Sequence, residues 1–259
     1  MVLEFGLLKS YCGKRIISYN FYDIADGIGY KSYYGATANN GTHVLVPNKI
    51  NSESITTQLK ETQLSTYDYI KKFDLDFDLT FSVPKNIRGD CYIGVPMGVR
   101  SRFGSVRQIG YYVTVNVYHY DGSTETLIGT GTSKVIASRV ITSDANENSN
   151  DANNFLIKAE IATIKHFKPG ETLRFTIEGY FKILTGAEGY GNYDVAIGHD
   201  PRNRENHHLH EGDSRVIILG NGNVTPLTDV NSTYYLQGIK WRYISTQMEF
   251  MVPFDIKEK

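Results

Sequence analysis

The chain has 259 residues and a formal net charge of -1, from 27 basic and 28 acidic side chains. That balance gives no bulk attraction to nucleic acid or to an anionic membrane, and a hydrophobic fraction of 41% argues against disorder and against a fibrous repeat. Tyrosine and glycine are abundant, at 19 and 24, whereas the two cysteines, Cys12 and Cys91, are too few for a disulfide framework or a cysteine-based zinc site.

The first residues, Met1 to Lys9, lack a basic leader, and no apolar run approaches the roughly 20 residues that cross a bilayer. The expectation is a protein made in the cytoplasm without an export signal. The segment up to residue 65 is the least regular. It holds one strand candidate, Arg15 to Tyr22, followed by turn material at Asp26 to Tyr30 and Asn39 to Gly41. Tyr30, Tyr33 and Tyr34 lie in this Gly-flanked stretch and fit either an arm packed on a neighbouring subunit or a segment folded back on the core. Ser54 to Tyr69 places Ile55, Leu59 and Leu64 at loose helical spacing, but it is rich in Thr and Ser and poorly capped, which argues against a helix.

From Phe73 the strand signals are frequent. Phe73 to Phe81 alternates without a break, so Phe73, Leu75, Phe77, Leu79 and Phe81 share one face and Asp74, Asp76 and Asp78 the other. The three carboxylates, about 7 Å apart, suit a solvated outer face or subunit boundary better than a calcium site. Gly110 to Tyr120 alternates with Tyr111, Val113, Val115 and Val117 on one side, turns at Asp121-Gly122-Ser123 and returns through Gly129 as a hairpin. Lys134 to Thr142 is a β-branched run, and Ser143 to Asn154 reads as a solvated loop. Phe155 to His166 alternates again with Ile157, Ala159, Ile161 and Ile164, Lys168 to Glu171 closes a turn, and Leu173 to Ile183 leaves it. Thr185 to Asp213 reads as a second long connection. A buried-looking run at Arg215 to Leu219 and a last strand at Gln247 to Ile256 complete the chain.

Eight to ten strands at hairpin spacing, with no βαβ rhythm, predict an all-β protein: an antiparallel β-sandwich of Greek-key or jelly-roll type with long loops. The expected division is an irregular N-terminal arm over residues 1–65 and a sandwich over residues 66–259, together forming a single folded domain.

The densest polar segment, His199 to Asp213, contains four of the seven histidines. His199, His207, His210 and Asp213 are its candidate metal ligands, but no metal-binding spacing is present and the expectation is a solvated or interface loop without metal. Arg202 and Arg204 suit carboxylate clamping across such a contact. Tyr235 and Trp241, with Tyr234 and Tyr243, are candidates for a sugar-stacking platform or a subunit contact. No nucleophile elbow, phosphate loop or dinucleotide fingerprint occurs, so no catalytic residue, no enzymatic activity and no cofactor is expected.

Three segments carry a resemblance: Phe21-Tyr22-Asp23 with Gly27, Gly29 and Tyr30, then Asp200-Pro201 with Asn203-Arg204, and Met251-Val252-Pro253-Phe254-Asp255-Ile256. They resemble uncharacterised virion structural proteins of tailed phages and related viruses. The resemblance implies a non-enzymatic capsid, decoration, head-fibre or tail component, located in the virion and assembled in the host cytoplasm. Its partners would be copies of itself and other virion proteins, without direct contact to nucleic acid or membrane. The alternatives are a glycan-binding β-sandwich, including a receptor-binding one, and a metal-dependent enzyme built on His199 to Asp213.

Overall fold

Residues that alternate between apolar and polar side chains form strands because successive side chains leave a strand on opposite faces. In the computed structural model, strands are the only regular element among the described residues, which are 26–38, 42–48, 57–101, 108–138, 150–185, 190–199, 201, 216–218, 224–226 and 247–257. In chain order they are β1 (Asp26–Thr37), β2 (His43–Val46), β3 (Thr57–Ser65), β4 (Ile70–Thr80), β5 (Lys85–Ser101), β6 (Gln108–Tyr120) and β7 (Glu125–Thr132). The second half adds β8 (Ile136–Ala137), β9 (Asn150–Phe167), β10 (Thr172–Thr185), β11 (Tyr190–Gly198), β12 (Val216–Ile218), β13 (Val224–Pro226) and β14 (Glu249–Lys257).

The hydrogen-bonded order is β13-β12-β3-β11-β5-β14-β1-β2-β4-β10-β6-β7, with β8 added to β6 and β9 to β5. Pairing is antiparallel except at β2–β4 and β12–β3. One layer is β4, β10, β6 and β7; the other is built on β9, β5, β14 and β1. Rings from the two layers meet in the middle: Phe250 of β14 lies 5.5 Å from Phe77 of β4 and 5.1 Å from Phe175 of β10, and Tyr111 of β6 lies 5.6 Å from Phe155 of β9. Phe77, Val113, Val115, Ile93, Phe175 and Phe250 are fully buried. Each such side chain contributes roughly 1.5–3 kcal/mol by leaving water.

The layers join at two seams of different construction. On one side, β2 is hydrogen-bonded to both layers, to β1 through Thr37↔His43 and its neighbours and to β4 through His43↔Phe77 and Val44↔Asp78. On the other, β7 crosses β9 at backbone distance. A Cβ built on Gly131 would lie 2.1 Å from the Lys158 carbonyl oxygen and one on Gly129 2.7 Å from that of Glu160, so only glycine permits this approach.

The strands at 73–81, 110–129, 155–166, 173–183 and 247–256 stand as the sequence predicts, and the fold is the all-β sandwich expected from them. Several local expectations need correction. Residues 57–65, within the weakly helical run, form β3, and β1 and β2 also fall in the segment expected to be irregular. Arg15 to Tyr22 lies outside the described residues. Residues 150–154, expected as loop, open β9, and the expected connection after Thr185 contains β11. Of the run from Lys134, β8 covers only Ile136 and Ala137. Ile164, expected on the inner face, is exposed, because it stands three residues after the inward Ile161 and a period of two turns it outward; it lies where the β5–β9 register slips between Ile87↔Lys165 and Gly89↔Ile161, with Arg88 alone opposite residues 162–164.

β5 was not anticipated. Its inward residues Ile87, Cys91, Ile93, Val95, Met97 and Val99 keep period two, but Gly89, Gly94, Pro96 and Gly98 between them resemble turn material. Pro96 is tolerated because it stands where β5 changes partner, from β14 up to Gly94 to β11 from Met97 onward.

Candidate functional site

The outer face of β4, β10, β6 and β7 is the most organised polar surface among the described residues. The aspartates of β4 are engaged by cations and hydroxyls across the sheet. Asp78 accepts two parallel hydrogen bonds from Arg174, from Nε and Nη2, each at 2.7 Å. Arg174 also contacts Glu125 and lies 3.8 Å from Asp76, which accepts the Thr176 hydroxyl at 2.6 Å. Lys71 donates to Asp74 at 2.6 Å and to Glu178 at 2.8 Å. The hydrogen bonds to Asp74 and Glu178 hold the Lys71 ammonium well above its ordinary pKa, and Asp78 does the same for Arg174. The ladder is therefore a braced outer face. Among the described residues no three His, Cys, Asp or Glu side chains gather as a metal-ligand set.

Tyrosines occupy both ends of this face. Tyr112 of β6 and Tyr180 of β10 are cross-strand neighbours whose rings stack at 4.8 Å and 5°, and Tyr69 meets Tyr112 edge-on at 5.0 Å. Stacked cross-strand rings stabilise the sheet that carries them. The Tyr180 hydroxyl donates to Glu178 at 2.9 Å, and Lys182 lies 5.8 Å from the centre of the Tyr69 ring. Partial burial raises the pKa of Tyr69, Tyr112 and Tyr180, so their hydroxyls remain protonated donors at neutral pH. Tyr118 and Tyr120 stand at the far end, Tyr118 six residues along β6 from Tyr112, or about 20 Å at the rise of an extended strand; Arg174 lies 5.1 Å from the Tyr120 ring centre. Between the two ends lie the Thr114–Thr132 and Asn116–Thr130 side-chain pairs and the exposed parts of Asp74 and Asp76.

The residues singled out from the sequence fall elsewhere. Tyr30 is half-buried on the opposite outer face, 6.1 Å from Tyr92. Tyr33 and Tyr34 are buried in the chain's own fold, at 4% and 7% exposure. His199 is fully buried, edge-on to His43 at 5.2 Å and 5.7 Å from Phe77. Arg202, Arg204, His207, His210, Asp213, Tyr235 and Trp241 lie outside the described residues. Cys91 is a free thiol in the core, pushed up to about 12 by burial. Tyr69, Tyr112 and Tyr180 were missed. The signal for Tyr112 was present in the alternation of β6, whose valines mark one face and therefore place Tyr112, Tyr118 and Tyr120 on the other, but the partner Tyr180 follows only from strand register.

No protein-family model matches the chain, and no curated protein matches it. Among solved structures it is similar to a CocE/NonD family hydrolase from Staphylococcus aureus, at 12% identity and a TM-score of 0.38, over 93% of this chain and 39% of the hydrolase. It is also similar to an alpha-amino acid ester hydrolase, at 11% identity and a TM-score of 0.40, over 66% of this chain and 34% of the other. A fainter likeness is to the VP2 subviral particle of infectious bursal disease virus, at 11% identity and a TM-score of 0.29, over 90% of this chain and 41% of VP2. The chain thus spans about two fifths of the length of the first of these hydrolases.

The expectation of a non-enzymatic virion component is corrected by these comparisons. The higher TM-scores belong to hydrolases, and the capsid likeness stands beneath them. The expectation that the chain has no enzymatic activity falls with it. What remains of the viral resemblance is the faint capsid likeness; a link to tailed phages is not shown. At these identities and TM-scores none of the likenesses carries an activity, a substrate or an assembly over to this chain.

Proposed function

We propose that the outer face of β4, β10, β6 and β7 is a docking surface for an extended hydroxyl-rich chain, a polysaccharide or the glycan of a glycoconjugate. The observation that carries this reading is the Tyr69–Tyr112–Tyr180 cluster, held by the Lys71–Glu178–Tyr180 network at one end of an open sheet face. Tyrosine rings receive the apolar C–H faces of sugar rings, and their hydroxyls, with neighbouring carboxylates and amides, exchange hydrogen bonds with sugar hydroxyls. Tyr118 and Tyr120 provide a second aromatic station, so the ligand would lie along β6. The network fixes the side chains before binding, which lowers the ordering cost of recognition.

Affinity electrophoresis of the full chain through gels containing neutral polysaccharides tests this directly. Retardation of the wild-type protein that falls at least about tenfold in Tyr112→Ala and Tyr180→Ala, each removing a ring worth about 1–3 kcal/mol of contact, supports the reading. Unretarded migration through xylan, mixed-linkage glucan and galactomannan, together with a blank glycan array, contradicts it.

A further inference from the structure

The two seams that join the layers differ in whether they can titrate. At the β2 seam, the His43 ring packs 5.1 Å from Phe77, and the fully buried His199 sits edge-on to His43 at 5.2 Å and 5.7 Å from Phe77. His43 itself forms the junction, since its backbone pairs with Thr37 of β1 and with Phe77 of β4. At the opposite seam the close contact is between glycine positions of β7 and backbone carbonyls of β9, groups that do not titrate in the physiological range. From this contrast we propose that the protein has an acid-sensitive gate at β2: protonation of the His43–His199 pair detaches β2 from β4 and opens the ring of strands at that side alone, while the β7–β9 contact holds.

Two like charges on imidazoles about 5 Å apart repel each other, and a charge on the fully buried ring is costly where water cannot reach it. Among the described residues, the charges bearing on the pair are Asp76 and Asp78, both on β4 and both acting on His43, and the His43 imidazole acting on His199. The half-buried His43, with these carboxylates nearby, takes the first proton, and that charge then opposes the second. Burial lowers both histidines from the ordinary value, His199 most strongly. The sign follows from this lowering. Above the ordinary histidine pKa of about 6.5 both states are neutral and the seam has its full stability; as the pH falls through that value toward the folded ones, the opened form binds more protons and gains population.

Hydrogen exchange of the full chain, read by mass spectrometry and corrected for the intrinsic pH dependence of exchange, tests the gate. Protection of residues 43–46 is expected to fall at least roughly tenfold between about pH 7.5 and pH 5, where histidine changes charge, while residues 129–131 stay protected. His199→Phe and His43→Phe, which keep an aromatic ring without a titrating group, should each retain protection of residues 43–46 at the lower pH. Two variants are used so that misfolding of one leaves the other, and the wild-type profile stands by itself. Unchanged protection of residues 43–46 in the wild type overturns the proposal. So does equal loss at residues 129–131, or acid-induced opening that persists in a folded His→Phe variant.

Discussion

The two outer faces of the sandwich have the same geometry and opposite chemistry. On β4, β10, β6 and β7, Arg174 forks onto Asp78, Lys71 bridges Asp74 and Glu178, and Tyr112 stacks on Tyr180. On β1, β14, β5 and β9, the outward residues include Ile28, Met251 and Leu156, exposed at 40%, 39% and 75%, beside the tilted Tyr30–Tyr92 pair. A charge pair exists there too, Lys158 with Asp90 at 2.9 Å, and the Tyr92 hydroxyl donates to Asp90 at 3.4 Å, but the Tyr30 and Tyr92 rings are tilted by 46° at 6.1 Å and do not stack. Tyrosine content alone therefore does not mark a binding surface. Stacked rings held by a short hydrogen bond present a defined polar and apolar pattern, whereas tilted rings with one long hydrogen bond among exposed aliphatic side chains offer area with less direction.

The largest expected effect removes the support of both faces at once. Phe250→Ala deletes the ring that touches Phe77 and Phe175, and should cost about 3–5 kcal/mol in urea unfolding; a loss below about 1 kcal/mol would mean that the layers do not meet through it. Gly131→Ala comes next. Its methyl group has no room against the Lys158 carbonyl, so a loss of about 1–3 kcal/mol is expected, and wild-type stability would show that β7 and β9 do not approach as described. Arg174→Lys is smaller and acts on the front face alone. It exchanges a two-point fork for a single point charge at a site 20% exposed, for about 1 kcal/mol in thermal unfolding and weaker polysaccharide retention. Lys158→Met on the opposite face should leave both stability and retention unchanged, because its contact with Asp90 is solvent-exposed. An effect equal to that of Arg174→Lys would erase the distinction between the faces.

How far the sequence discloses this arrangement depends on how many residues a feature needs. β4 is legible from nine consecutive residues, because Phe73 to Phe81 alternates without interruption, and β6 and β10 follow the same rule. β5 is obscured because glycine and proline interrupt its apolar residues, and their tolerance depends on partners distant in sequence: β9 on one edge, and β14 then β11 on the other. The aspartates of β4 were visible from the start, but their meaning lies in Arg174 and Lys71, supplied by register and a bulge between Gly179 and Tyr180. The Tyr112–Tyr180 stack is hidden for the same reason. His199 illustrates the converse: a histidine at the head of a polar segment reads as a ligand, yet it completes the core beside Phe77.

The most direct test of the docking face is a backbone amide NMR titration of isotopically labelled protein with neutral oligosaccharides, chosen from the polysaccharide that retards the chain. Shift changes at Tyr112, Thr114, Asn116, Glu178 and Tyr180, with Ile28, Tyr30, Tyr92 and Met251 unmoved, are the predicted result. Changes confined to the Tyr30–Tyr92 face, or none on either face at saturating oligosaccharide, would contradict it.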